Sequence, residues 1–254
     1  MSGTNREVRV AAFRPDDERL ADAVELLDSL GAEPVADPML EVRPTGETPR
    51  HGEYVVLTSK TGVELAADAG WDPTDGESET TVCAIGEPTA AVLRERGYDV
   101  DLVPEEYSSA GLVAALEDEV EGARVEVARS DHGSAVLTEG LADAGADVNE
   151  TVLYQLVRPE GSGESAALAA AGDLDAALFT SSLTVAHFLD AADERGVREQ
   201  AVAGLNDAVV GAIGEPTRET AEREGISVDV VPETADFDQL ATAVVEAAAP
   251  TYHG

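Results

Sequence analysis

Short apolar, β-branched runs alternate along the chain with longer segments in which apolar residues recur every three or four positions. The runs predict strands near 8–13, 34–37, 54–58, 82–85, 100–103, 124–128, 147–150, 175–180, 208–213 and 228–231. The helical spacing predicts helices near 17–30, 61–69, 88–96, 109–119, 133–144, 164–171, 183–194, 216–224 and 236–248, with Leu20, Val24, Leu27 and Leu30 marking one buried face. Ser108 stands where a hydroxyl caps the helix that follows it, and Gly97 and Gly225 stand where a helix end takes a left-handed residue. Alternation of strand and helix implies parallel sheets with right-handed crossovers, about five strands in each of two sheets. The polar, Gly/Pro-rich stretch 70–80 reads as a surface loop.

The pattern repeats. AIGEPT occurs at 84–89 and again at 212–217, and the likeness runs on through LRERGYDVDLVPE and AEREGISVDVVPE. VVLTSKTGVELAAD (55–68) parallels ALFTSSLTVAHFLD (177–190), and RVAAFRPDDERLADAVELLDSLGAEPV (9–35) parallels RVEVARSDHGSAVLTEGLADAGADV (124–148). Three blocks that each occur twice imply two domains of similar fold. The first block opens the chain, but its copy follows the other two, so tandem and inserted arrangements both fit. Two extended segments, 39–45 and 151–158, sit at the block junctions and read as crossings able to pair as a small two-stranded ladder.

Composition narrows the class. The hydrophobic share of 43% builds a core, and the aromatic share of 4% makes that core mostly Ala, Val, Leu and Ile. No apolar run reaches the roughly 18 residues of a membrane helix, and the first residues lack a secretory pattern, so a cytoplasmic location is expected. The one cysteine excludes an internal disulfide. Fifty-two acids face sixteen bases, of which only Lys60 is lysine, and the net charge is −36. Non-specific binding to nucleic acid or anionic membrane is therefore disfavoured, and neither is expected as a partner. The acids are spread along the whole chain, a composition resembling that of proteins from salt-loving archaea.

The polar motif residues fall at strand carboxyl ends. Arg14, Thr58-Ser59-Lys60, Gly86 with Thr89, Ser108, Arg129, Thr180-Ser181-Ser182 and Gly214 with Thr217 all lie just before or within the first turn of a predicted helix. Open parallel sheets bind ligands there, where free amides and the helix dipole favour anions. Taken singly, the hydroxyls read as plain helix caps and the arginines as surface ion pairs; the duplication of the TS and GEPT sets favours ligand contact. Cys83 reads as a buried apolar residue. His51, His132, His187 and His253 lack metal-ligand spacing. The Walker, dinucleotide and nucleophile-elbow signatures are absent.

FRP (13–15), LGAEPVADPMLEV (30–42), LTSKTGV (57–63), AIGEPTAAVLRERGYDVDLVPEEYSSAGLVAAL (84–116), TVLYQLV (151–157), FTSSLTV (179–185) and AIGEPT (212–217) with VPE (231–233) resemble, in order and spacing, the uroporphyrinogen-III synthase family. The resemblance implies an α/β fold of two flavodoxin-like domains with parallel sheets. One is 1–38 plus 158–254, the other an inserted 45–150. The connectors 39–44 and 151–157 pair, and the substrate lies in the interdomain cleft. It implies catalysis with no cofactor and no metal, and a monomer is the default expectation. Its substrate is hydroxymethylbilane, a linear tetrapyrrole with eight carboxylates, handed over by hydroxymethylbilane synthase. The implied reaction loses the terminal hydroxyl as water, passes through an azafulvene and a spiro intermediate, and inverts ring D. Tyr154 matches the family's tyrosine proposed to help the hydroxyl leave. Ser130 and Asp131 depart from the glycine that follows Arg129's counterpart in many relatives, which weakens Arg129 as an anion contact. Two other functions fit the same residues less well. One is a non-catalytic tetrapyrrole sensor of the same fold. The other is a nucleotide-dependent transferase, against which the missing glycine fingerprint speaks.

Overall fold

The computed structural model describes residues 8–76 and 79–249. His253 and residues 77–78 of the 70–80 loop lie outside that range. In chain order the strands are β1 (Val8–Phe13), β2 (Ala32–Ala36), β3 (Glu41–Pro44), β4 (Tyr54–Leu57), β5 (Thr81–Ala84), β6 (Arg124–Ser130), β7 (Asp147–Val157), β8 (Ala176–Phe179) and β9 (Val209–Ala212). The helices are α1 (Glu18–Ser29), α2 (Lys60–Asp68), α3 (Glu87–Glu95), α4 (Ser109–Leu116), α5 (Ala135–Asp143), α6 (Glu164–Ala171), α7 (Ser182–Glu194), α8 (Arg198–Asn206), α9 (Glu215–Arg223) and α10 (Phe237–Ala248).

The chain divides into two compact units, Met1–Glu41 with Val157–Gly254 and Val42–Leu156. The first holds a parallel sheet in the order β2-β1-β8-β9. Alternation along β1 sends Val10 and Ala12 to one face, against α1 and α10, and Ala11 and Phe13 to the other, against α6, α7 and α8. The second unit has the order β3-β7-β6-β4-β5, with β7, β6, β4 and β5 parallel. Val55 and Leu57 face α2 and α3, whereas Val56, Val125 and Val127 face α4 and α5. The repeated blocks occupy the same places in the two sheets: β6 answers to β1, β4 to β8 and β5 to β9. One unit therefore starts its chain at a different strand from the other.

Four features depart from the sequence pattern. Segments 100–103 and 228–231 contribute only single bridges, Cys83 to Leu102 and Gly211 to Val230. In each copy an aspartate takes the edge amide that a further strand would claim. Asp101 Oδ2 accepts from Val82 N at 2.8 Å, and Asp229 Oδ2 accepts from Val210 N at 2.8 Å. The crossing 151–158 is no separate ladder. It continues 147–150 as one eleven-residue strand, β7, with β3 beside it in the larger sheet. Helix α8 has no counterpart among the predicted elements. A short 3₁₀ turn, Pro73–Asp75, interrupts the 70–80 loop.

Candidate active site

Each sheet's carboxyl end carries the motif residues. In the larger sheet's unit, Ser59 is the N-cap of α2 and its Oγ accepts the Gly62 amide at 3.0 Å. Tyr154, near the end of β7 and 7% exposed, donates from Oη to the same Oγ at 3.0 Å. With two protons accepted, the Ser59 hydroxyl keeps its own proton to donate. The sequence did not single out Gly62, which makes this contact fit: a Cβ there would lie 3.0 Å from Ser59 Oγ and 3.9 Å from Tyr154 Cε1. Thr58 is half-buried beside Ser59, and Lys60 is exposed in the first turn.

The other motif hydroxyls divide into free and committed. Ser181 caps α7 and accepts the Thr184 amide at 3.2 Å, which leaves its proton free. Thr180 donates to the Phe13 carbonyl (2.6 Å), Ser182 to the Pro216 carbonyl (3.0 Å) and Ser108 to Glu106 (2.7 Å) while it caps α4. Thr89 and Thr217 are buried. Gly86 and Gly214 are the N-caps of α3 and α9, and no side chain caps either helix. Both glycines have extended backbones; Pro88 and Pro216 carry no N–H and the Thr89 and Thr217 amides already donate to the glycine carbonyls (3.1 Å each), so each turn offers only the amides of the glycine and the glutamate after it. Glu87 and Glu215 are exposed and pair with Arg94 and Arg218 on their own helices.

The two motif arginines differ. Arg129 is 5% exposed, donates to Glu150 (2.8 Å) and to the Ser134 carbonyl (2.5 Å), and packs where a Cβ on Gly133 would collide with it. Arg14 lies with its guanidinium carbon 4.1 Å from the Phe237 ring centroid. It lines a cavity of about 280 Å³ with Arg19, Thr180, Ser181 and Phe237. Burial first, and then the neighbouring Arg19 charge, lower its pKa from the ordinary arginine value, while Asp17, Asp22 and Asp238 act the other way. Glu150, Phe237 and Arg19 were not among the sequence candidates. Phe237 was findable, because the repeat aligns it with a serine, Ser109.

Cys83 is buried in β5 and its thiol is pushed up to about 12, chiefly by burial. Among the described residues no cluster of three or more His, Cys, Asp or Glu is placed to hold a metal, and no helix is long and apolar enough to cross a membrane.

A family model described as "Uroporphyrinogen-III synthase HemD" matches residues 21–242, well over half of the chain. The chain belongs to the uroporphyrinogen-III synthase family. This is an enzyme family acting on hydroxymethylbilane in tetrapyrrole synthesis. A uroporphyrinogen-III synthase from Chlorobaculum parvum is 27% identical over 250 residues, covering 94% of this chain and 98% of the relative. A Methanothermobacter thermautotrophicus protein, provisionally named as the same synthase, is 33% identical over 237 residues, covering 88% of this chain and 92% of its own. Two solved structures share the fold. A mutant synthase from Thermus thermophilus has TM-score 0.68 and 19% identity over 95% of this chain and 98% of its own. The Helicobacter pylori synthase has TM-score 0.57 and 15% identity over 94% of this chain and 100% of its own.

Proposed function

We propose that this chain is a uroporphyrinogen-III synthase, cyclising hydroxymethylbilane to uroporphyrinogen III for haem, sirohaem and cobalamin formation. The observation that carries this beyond family membership is the hydroxyl pair of buried Tyr154 and half-buried Ser59, with a proton left on Ser59. The Ser59 hydroxyl donates to the terminal hydroxyl of the substrate as its C–O bond breaks, and Tyr154 donates to Ser59 in turn. The oxygen leaves as water, the pyrrole nitrogen's electron pair fills the deficit, and the N–H proton it releases restores the proton given up by the Tyr154–Ser59 pair as the azafulvene forms. Ring D then attacks through its substituted carbon. Fragmentation of the spiro intermediate and reclosure invert that ring. Positioning does the rest, because the unassisted chain closes to the symmetric isomer.

The substrate's carboxylates fit the amides of Gly86-Glu87 and Gly214-Glu215, the hydroxyls of Thr58 and Ser181, and Lys60 and Arg14. Thr89, Ser108, Thr180, Ser182 and Thr217 shape those turns, and Arg129 holds its loop through Glu150. We place the protein in the cytoplasm as a monomer that takes its substrate from hydroxymethylbilane synthase. The test is isomer analysis. Hydroxymethylbilane is generated in situ with this protein in molar KCl, the products are oxidised, and uroporphyrins I and III are separated by chromatography. Protein-dependent type III is expected; type I alone from folded protein rejects the reading.

A further inference from the structure

The duplication sets up an internal comparison. The repeat aligns Arg14 with Arg129, since Arg9-Val10 of β1 answers to Arg124-Val125 of β6. The strand register sets Glu150 opposite Val127 in one unit and Ala36 opposite Ala12 in the other. The carboxylate that neutralises Arg129 is therefore an alanine methyl where Arg14 stands. Asp37, next along, is buried and spends its oxygens on Gly163 and Ser165 instead. Arg96, Arg158, Arg198 and Arg218 each hold a carboxylate, as a chain with 52 acids allows. Arg14 holds none among the described residues, and its Nε is buried without a partner. Arg129 Nε is also unpaired, but each of its terminal nitrogens donates a hydrogen bond, one of them to a carboxylate.

Arg14 is placed at a cavity and not merely vacant. The Phe237 ring lies against it, 4.1 Å from the guanidinium carbon to the ring centroid, and both side chains line the cavity. That cavity, about 280 Å³, has room for one carboxylate-bearing arm and several waters at roughly 30 Å³ per water. Ser181, whose hydroxyl accepts the Thr184 amide and keeps its proton, also lines it. Gly214, at the neighbouring helix start, is also uncovered: a Cβ there would meet nothing nearer than Pro216 Cδ at 4.0 Å. Its duplicate, Gly86, lies under Tyr107, whose Cγ would be 2.9 Å away.

We propose that the Arg14 cavity is a subsite for a single carboxylate arm of the tetrapyrrole, held by the Arg14 guanidinium and the Ser181 hydroxyl, and that Arg129 is its structural duplicate with the anion supplied internally by Glu150. This deepens the synthase reading and rests on it for the ligand's identity.

The test titrates the full-length protein with uroporphyrin III, an octacarboxylate, by fluorescence in molar KCl. The variants are Arg14→Ala, Arg14→Lys and Ala36→Glu. The last places the duplicate's carboxylate at an exposed position, so the fold has little reason to fail. Charge-assisted bonds to a partly buried guanidinium predict that Arg14→Ala and Ala36→Glu each weaken binding about tenfold or more, with Arg14→Lys in between. Wild-type affinity in a folded Ala36→Glu or Arg14→Ala protein overturns the subsite, as does absence of uroporphyrin binding by the wild type. The isomer assay reads the other question. A wild type that yields only type I, yet binds uroporphyrin in an Arg14-dependent way, keeps the subsite and removes the synthase reading.

Discussion

At the residue scale, the chemistry turns on whether Tyr154 and Ser59 act as a unit. Tyr154→Phe keeps the ring in its apolar setting and removes one donor, so the fold should persist and turnover should fall on the order of 10²-fold. Ser59→Ala should slow turnover similarly and also cost about 1 kcal/mol through loss of the α2 cap. In a relay the double variant is little slower than either single one, because each already breaks the same path. Rates from single-turnover isomer formation give the answer; multiplying losses would separate the two roles. Sequence made both residues visible, Tyr154 by resemblance and Ser59 by duplication. It did not reveal their contact. Ninety-five residues separate them, and only the register of β7 beside β6 brings Tyr154 opposite Ser130 at the sheet's end. The division of hydroxyls into free and committed was equally illegible, because Thr180 spends its proton on a carbonyl of β1 that no local pattern reveals.

At the element scale, strands and helices whose apolar spacing continued for two turns or more were legible within a few residues. The misses have identifiable causes. Val100-Asp101-Leu102-Val103 and Val228-Asp229-Val230-Val231 have strand composition, but an aspartate in second place captures the edge amide and stops the ladder after one bridge. Helix α8 is short, buries only Ala201 and Leu205, and carries a glycine within it, so its sequence argues against itself. The packing supplies the reason for that glycine. A Cβ on Gly204 would sit 1.8 Å from the Ala169 carbonyl oxygen, so α8 and α6 approach through bare backbone. On propensity alone Gly204→Ala would gain up to about 1 kcal/mol. Here it should instead destabilise by about 1–3 kcal/mol through overpacking. The denaturant midpoint at fixed KCl measures this, and a midpoint that rises would show that the helices can part without cost.

At the scale of the whole molecule, the order of the paired blocks left tandem and inserted arrangements equally open, because local patterns do not say which strands are neighbours. The sheet orders supply that: the same four places are filled in both units by a chain that enters at different points. Net charge is the other global quantity. With −36 spread over the chain, self-repulsion opposes compaction, and at 1 M salt a Debye length of about 3 Å confines each charge to its near neighbours. The thermal midpoint should therefore climb between 0.1 and 2 M KCl at pH 7. Salt also strengthens apolar burial, so the climb alone does not identify its cause. Acidification separates the two. Carboxylates titrate near pH 4, so at about pH 4.5 much of the repulsion is gone and a charge-driven salt dependence should flatten. A smaller effect runs the other way. Asp17 and Glu53 have pKa values lowered mainly by hydrogen bonds from Arg19 and Arg124, so their contribution is present above the unfolded carboxylate range and fades as pH falls through the folded values. Both are surface groups, whose share is small against the summed repulsion. If the KCl slope of the midpoint is as steep at pH 4.5 as at pH 7, the acid coat is not what the salt acts on, and apolar burial in this aromatic-poor core is.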